Sequence, residues 1–331
     1  MKFDLDEQQR DFASSIDRAL GAADVPAAVR AWATGDTSPG RKVWSTLTDL
    51  GVTALMVPEK FDGIEAHPVD LMVAAERLGY WGVPGPVTES IAVAPILLAD
   101  DERCGGLASG ELIATVAMPP HVPRAVDADT AGLILVAGDG DVRDGTLGDR
   151  YESVDPARRL FDVSATGDAT TADTARAFDF GALTTAAQLI GAGQAMLDGS
   201  VEYAKQRSQF GRLIGSYQAI KHKLADVYIA VELARPLVYG AALSLADGSP
   251  DAARDVSAAA AAAADAALLS ARSSLQAHGA IGFTQEHDLS LLLLRVQALR
   301  SSWGDATWHR RRVLEGLAPH DTPTRSGADR A

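Results

Sequence analysis

The second half of the chain limits its possible folds more than any other part. From about residue 181 onward it holds four long segments of helical apolar periodicity, at roughly 181–207, 216–247, 251–278 and 286–316. Gly211 and Gly215, then Gly248-Ser249-Pro250, then Gly279 to Gly282 separate them. Glycine ends helices because it enters the left-handed backbone region without a Cβ clash, and proline because it has no N–H to donate. Connections this short make consecutive helices antiparallel neighbours, so the segments predict a four-helix bundle. The alanine run at 258–264 reads as a helix face of small residues packed closely on a neighbour, since alanine is the best helix former. Together with a stripe of Leu289, Leu292, Leu293 and Val296, the 258–267 stretch is more apolar than one bundle core requires, which predicts a surface for another subunit.

The first hundred residues also read as helices. Asp6 caps a helix whose stripe is Phe12, Ile16 and Leu20. A second helix carries Val43, Trp44, Leu47 and Leu50 and stops at Gly51, and a third spans 69–78 and ends at Gly79. Pro84, Pro86 and the residues to Glu89 read as a linker, followed by a short apolar helix at 91–98 with Pro95 in it. Between 111 and 165 the character changes. Runs at 111–117, 132–137 and 160–163 are β-type, and Gly138-Asp139-Gly140-Asp141 is a hairpin turn. The expected fold is therefore mostly α with a small β domain. Its parts are an N-terminal helical domain at 1–108, a short β domain at 109–175, a C-terminal bundle at 176–318 and a disordered tail at 319–331.

Charge and cysteine content exclude several functions. The formal net charge is −14 and there is no long basic stripe, which argues against nucleic acid and anionic membrane as partners. A few placed arginines still allow a phosphate-bearing ligand. Cys104 is the only cysteine, so no intrachain disulfide or cysteine-rich metal site is expected, and a reducing cytoplasm suits the chain. The seven histidines are scattered with no pair one helical turn apart, so no metal is expected. No signal core and no membrane-length apolar stretch is read, and hence no membrane anchor.

Several short motifs stand in a fixed order. Leu50-Gly51-Val52 leads to Val57-Pro58-Glu59-Lys60-Phe61-Asp62-Gly63. Arg207-Ser208-Gln209-Phe210-Gly211, Tyr217-Gln218-Ala219-Ile220 and Gln276-Ala277-His278-Gly279-Ala280-Ile281-Gly282-Phe283 follow in the bundle. With the helix–β–helix order, they make nearly the whole chain resemble the acyl-CoA dehydrogenase family. The resemblance implies FAD held between two subunits. It implies that Arg207 reaches the diphosphate of a flavin bound mainly by the neighbour, a task for a planar, permanently charged fork. It further implies that Phe210 packs on the cofactor, that Gln218 and Gln276 hydrogen-bond it, and that Gly279 and Gly282 let the backbone approach it.

The residues that would do chemistry beside that flavin are missing. Removing the α-proton of an acyl-CoA needs a carboxylate within hydrogen-bond reach. The resemblance places a glutamate where this chain has Trp303, in Leu299-Arg300-Ser301-Ser302-Trp303-Gly304-Asp305, or where it has Gly181, in Phe178-Asp179-Phe180-Gly181. Asp305 and Asp179 are nearby acids but weak substitutes. The stretch at 114–123 likewise lacks the Thr-Glu-Pro-x-x-Gly-Ser pattern that touches the flavin ring in the family. The expected role is an FAD-dependent subunit that lends binding groups to a catalytic paralogue in a heterotetramer, similar to the shorter subunit of heteromeric dehydrogenases of steroid side-chain CoA thioesters. The alternatives are a self-sufficient homo-oligomeric enzyme using Asp305 or Asp179, and a non-enzymatic scaffold. An acyl-CoA is the implied substrate; the acyl group and the electron acceptor are not legible.

Overall fold

The computed structural model describes residues 4–317, so the tail expected at 319–331 lies outside the described residues. The N-terminal region is helical: α1 (Glu7–Ala22), α2 (Val25–Ala33), α3 (Ser38–Asp49) and α4 (Pro68–Trp81). Asp6 and Gln9 close a reciprocal capping box on α1. Helix α2 has no counterpart in the sequence reading; Asp24 caps it and Pro26 sits in its first turn.

Helix α4 does not end at Gly79, as expected, but runs on to Gly82, whose φ is 66°. Gly79 has another task. A Cβ there would stand 2.1 Å from the carbonyl oxygen of Gln188, and one at Gly191 would stand 1.9 Å from that of Glu76. These two glycines let α4 and α7 (Thr174–Gln206) touch backbone to backbone.

The expected linker ends early. A π-helical turn, Thr88–Val93, leads directly into α5 (Ala94–Leu97), and residues 83–95 are all buried. A short α6 (Arg103–Ala108) precedes the sheet. Its strands are β1 (Ala114–Ala117), β2 (Ala125–Val126), β3 (Leu133–Gly138), β4 (Asp141–Tyr151) and β5 (Leu160–Thr171), in the order β1-β3-β4-β5-β2. The β1–β3 pair is parallel and the rest antiparallel. Asp139 and Gly140, with φ of 52° and 84°, make the expected tight turn between β3 and β4.

The bundle holds α7, α8 (Gln218–Ala246) and α9 (Ala252–His278), with α7 beginning seven residues before the expected 181 because Asp173 caps it. The fourth expected helix is two, α10 (Leu289–Leu299) and α11 (Ala306–Leu317). Gly304, at φ 92°, breaks it, and the Asp305 carboxylate accepts from the N–H groups of Thr307 and Trp308 at 2.8 Å to start α11.

Two surface expectations change. Ala259, Ala260, Ala261, Ala263, Ala264, Ala266 and Ala267 are buried within the chain, as are Leu289, Leu293 and Val296. The small side chains let α9 nest against α7 and α8, so this is core and not a free face. Exposed apolar side chains of the bundle include Tyr228, Ile229, Leu233 and Leu237 on α8, and Leu314 and Leu317 on α11. Helix α8 is also, by length and composition, apolar enough to cross a membrane, contrary to the sequence reading. It uses that apolarity to bury Val227, Val231, Val238 and Leu245 in the bundle.

Candidate functional site

The first candidate site forms where α7 ends. Arg207 leaves the helix in extended conformation, and a two-stranded hairpin follows, β6 (Ser208–Gln209) and β7 (Arg212–Leu213). Phe210 and Gly211 form its turn, with φ of 53° and 80°. A positive φ is strained for phenylalanine, and here it holds a ring that is 93% exposed. Tyr217 Oη donates to the Gln209 carbonyl at 3.1 Å and the Arg212 guanidinium lies 3.9 Å over the Tyr217 ring, which braces the hairpin.

A cavity of about 470 Å3 opens beside it, lined by Tyr203, Arg207, Phe210, Gln276, His278 and Gly279 among others. Among the described residues no carboxylate pairs with Arg207, and its side chain is exposed. In so acidic a chain an unpaired arginine at a cavity is a site for an anion. Gly279 has φ 68° and ψ −147°, a conformation open in practice to glycine alone, and the space around its Cβ position is empty. Gly282 is different: a Cβ there would meet His278 and Leu289 at 2.9 and 3.0 Å, so it serves packing. Gln218 is exposed at the start of α8 and does not line the cavity.

Three rings meet at the cavity wall. His278 stacks on Tyr203 with centroids 4.3 Å apart, and His287 stands edge-on to His278 at 4.9 Å. His278 Nδ1 lies 2.8 Å from the Ser274 carbonyl, to which it donates as N–H. Burial, with the nearby His287, holds the His278 imidazole below its ordinary proton affinity.

The second place gathers the positions where a catalytic carboxylate is expected. Trp303 is fully buried and covers Gly181. Its indole N–H donates to Glu89 Oε1 at 3.2 Å. Glu89 comes from the π-helical turn, has no exposed surface, and its Oε2 has no partner. An unpartnered buried carboxylate oxygen is costly, and only its place in the fold reveals it; in the sequence Glu89 reads as the end of a linker.

His309 secures the far side of Trp303: Nε2–H donates to the Trp303 carbonyl at 3.0 Å, and Nδ1 lies 3.2 Å from Ser257 Oγ. Burial pushes the His309 imidazole down to about 4. Asp179 is bonded to Arg312, and burial raises its carboxyl above the usual range in spite of that partner. Asp305 is engaged by backbone N–H groups of α11, which hold its carboxyl below the usual range. The structure thus gives each of these two acids a structural task.

The 114–123 stretch meets the bundle here as well. His121 packs against Trp308 with centroids 4.4 Å apart and the rings tilted by 49°, and Phe178 contacts both rings. The cavity left beside Trp303 is about 10 Å3, room for about one water. A larger cleft of about 600 Å3 lies between α5, α6 and the β4–β5 ribbon, where the carboxylates of Asp100, Asp101, Glu102, Asp144, Asp168 and Asp173 outnumber Arg103 and Arg143, both already paired with aspartates. That charge repels the phosphates of a CoA thioester. Among the described residues no group of three or more His, Cys, Asp or Glu could hold a metal.

Comparison with known proteins adds to this geometry. The model of the acyl-CoA dehydrogenase N-terminal domain matches residues 6–102, and that of the C-terminal domain matches 171–318. The acyl-CoA dehydrogenase IpdE2 of Mycobacterium tuberculosis is 32% identical over 278 residues, covering 82% of this chain and 85% of that protein. The acyl-CoA dehydrogenase FadE34 of the same organism is 31% identical over 323 residues, covering 90% of this chain but 45% of that protein. The ChsE4–ChsE5 complex of Mycobacterium tuberculosis contains a chain that superposes with a TM-score of 0.83 at 23% identity, over 96% of this chain and 99% of that one, a likeness of fold.

Proposed function

The chain belongs to the acyl-CoA dehydrogenase family of FAD-dependent oxidoreductases, and from that premise we propose that it is the lending subunit of a heteromeric enzyme. It offers Arg207, Phe210, Gln276 and Gly279 to the nucleotide part of a flavin held by a paralogue, and it carries out no dehydrogenation at its own Trp303. When bound, FAD supplies the hydride acceptor for α,β-dehydrogenation of an acyl-CoA. The two places fit that cofactor unequally. The Arg207 cavity is open, unpaired and large enough for part of a nucleotide.

The observation that carries the proposal is the contact of His121 with Trp308. A planar ring between two walls needs about 3.5 Å of contact on each side. Ring centroids 4.4 Å apart leave no such slot between the two stretches that would face the flavin ring. Trp303 fills the base position at the same place, and Asp179 and Asp305 have other partners.

The length of FadE34 supports a second unit, since more than half of that relative lies outside its match to this chain. The assembly would use the apolar face of α8 and the exposed Phe210, and a heterotetramer with a paralogue is the reading favoured. A bulky, steroid-derived acyl group rests on the sequence resemblance. The deciding experiment is the flavin absorbance spectrum of the chain purified alone and with its paralogue. Flavin in the pair and none in the lone chain is expected. A lone chain that is yellow and oxidises an acyl-CoA would refute the proposal.

A further inference from the structure

We infer that His278 makes nucleotide uptake at the Arg207 cavity proton-linked, so that the cavity binds a diphosphate more tightly as the pH falls through the imidazole range. This inference rests on the reading of the cavity as a flavin-nucleotide site. The two imidazoles touch at 4.9 Å and His278 lines the cavity, stacked on Tyr203. His278 donates its Nδ1 proton to Ser274, so a second proton can enter only at Nε2.

Without ligand that proton is disfavoured, by burial and by the facing His287. From α7 and the residue that follows it, Tyr203 and Arg207 line the cavity with His278. The 214–220 segment contributes Ile214, Tyr217, Ala219 and Ile220 to the lining, none of them charged. Beside His287 in the chain stand Glu286 and Asp288, and Asp288 is taken up by Arg30 at 2.8 Å. No carboxylate therefore offsets the imidazoles within the cavity lining.

A diphosphate carries two negative charges that do not titrate in this range. Brought into the cavity, it favours the imidazolium, and by linkage whatever raises the proton affinity on binding is bound more tightly at lower pH. His278 thus works as a positioning and tuning element beside Arg207, one that strengthens the site when protonated.

The test measures affinity for FAD, and for a doubly esterified nucleoside diphosphate sugar as a flavin-free probe, from about pH 8 to about pH 5.5 in the chain assembled with its paralogue. A rise of about threefold to tenfold is expected across the range, the gain when binding raises the proton affinity of His278 by about that factor. His278→Gln keeps a hydrogen-bonding side chain but cannot titrate, and should flatten the profile; His287→Gln removes the opposing ring and should move the rise to higher pH. A flat wild-type profile, or an unchanged slope in His278→Gln, overturns the inference. Arg207→Ala separates it from the underlying reading: it should lower affinity at every pH and leave the slope. Affinity indifferent to Arg207→Ala, or no flavin in any preparation, overturns the site assignment itself and the inference with it.

Discussion

The indole of Trp303 lies directly on the α-carbon of Gly181: a Cβ at 181 would stand 2.4 to 2.6 Å from three of its ring carbons. The two positions where the family resemblance seeks a catalytic carboxylate therefore face each other, and they have been filled as one unit. The large residue at 303 requires the smallest at 181.

Gly181→Ala should destabilise the protein by about 1–3 kcal/mol, the usual range for overpacking a closed core. Trp303→Leu in the same chain should recover part of that loss. Urea unfolding of the two single variants and the double variant checks the coupling; simple additivity would mean that the indole moves aside without cost.

Arg207→Ala should leave the fold intact, because the side chain is exposed and has no carboxylate partner among the described residues. Flavin affinity of the assembled enzyme should fall by about 1.5–3 kcal/mol, the worth of a hydrogen bond to a charged group. Flavin content after gel filtration is the measurement.

Trp303→Glu should not create a dehydrogenase. The new carboxylate would lie beside Glu89, already buried with an unpartnered oxygen. Two buried like charges destabilise by on the order of 3 kcal/mol or more, or one of them takes up a proton. His121 and Trp308 would still close the ring slot. Stopped-flow mixing of the lone variant, supplied with excess FAD, with an acyl-CoA should give no flavin bleaching.

Stability should fall in acid through His309. Its folded value of about 4 lies below the ordinary 6.5, so the unfolded chain binds the proton more tightly. The contribution is complete above about pH 6.5 and is lost progressively as the pH drops toward 4, a change of about 3 kcal/mol. A pH series of denaturation midpoints should show this loss, and His309→Phe should lack that part of it.

Leu233→Glu should change the stability of the lone chain by no more than about 0.5 kcal/mol, because the residue is 71% exposed. It should weaken assembly with the paralogue. Light scattering of the mixed subunits distinguishes the two effects.

The bundle was legible because α7, α8 and α9 bury stripes that repeat at the helical period, and glycines stand at or shortly after their ends. Helix α4 misled because a glycine used for close approach looks like a glycine used as a stop, and only the carbonyl of Gln188 tells them apart. Strand β4 was invisible since most of its side chains are exposed and show no alternation. At the site, Arg207 and Phe210 could be found because they sit in one short motif. Glu89 could not: it is more than two hundred residues from Trp303 in sequence, and nothing in its neighbourhood marks it as buried. His278 and His287 were equally hidden, being brought together only by the turn that begins at Gly279.

The exposed ring of Phe210 has a consequence for how much of this protein a cell can safely make. A chain synthesised without its counterpart holds out that ring, together with Ile229, Leu233 and Leu237, to whatever it meets. Sticky surface of this kind is what chaperones retain and proteases clear, and it drives precipitation at high concentration. Under the proposed pairing with a paralogue, supply of the two subunits must then be matched. An excess of this one should be lost from the soluble fraction, so its abundance would track its counterpart's and not its own rate of synthesis.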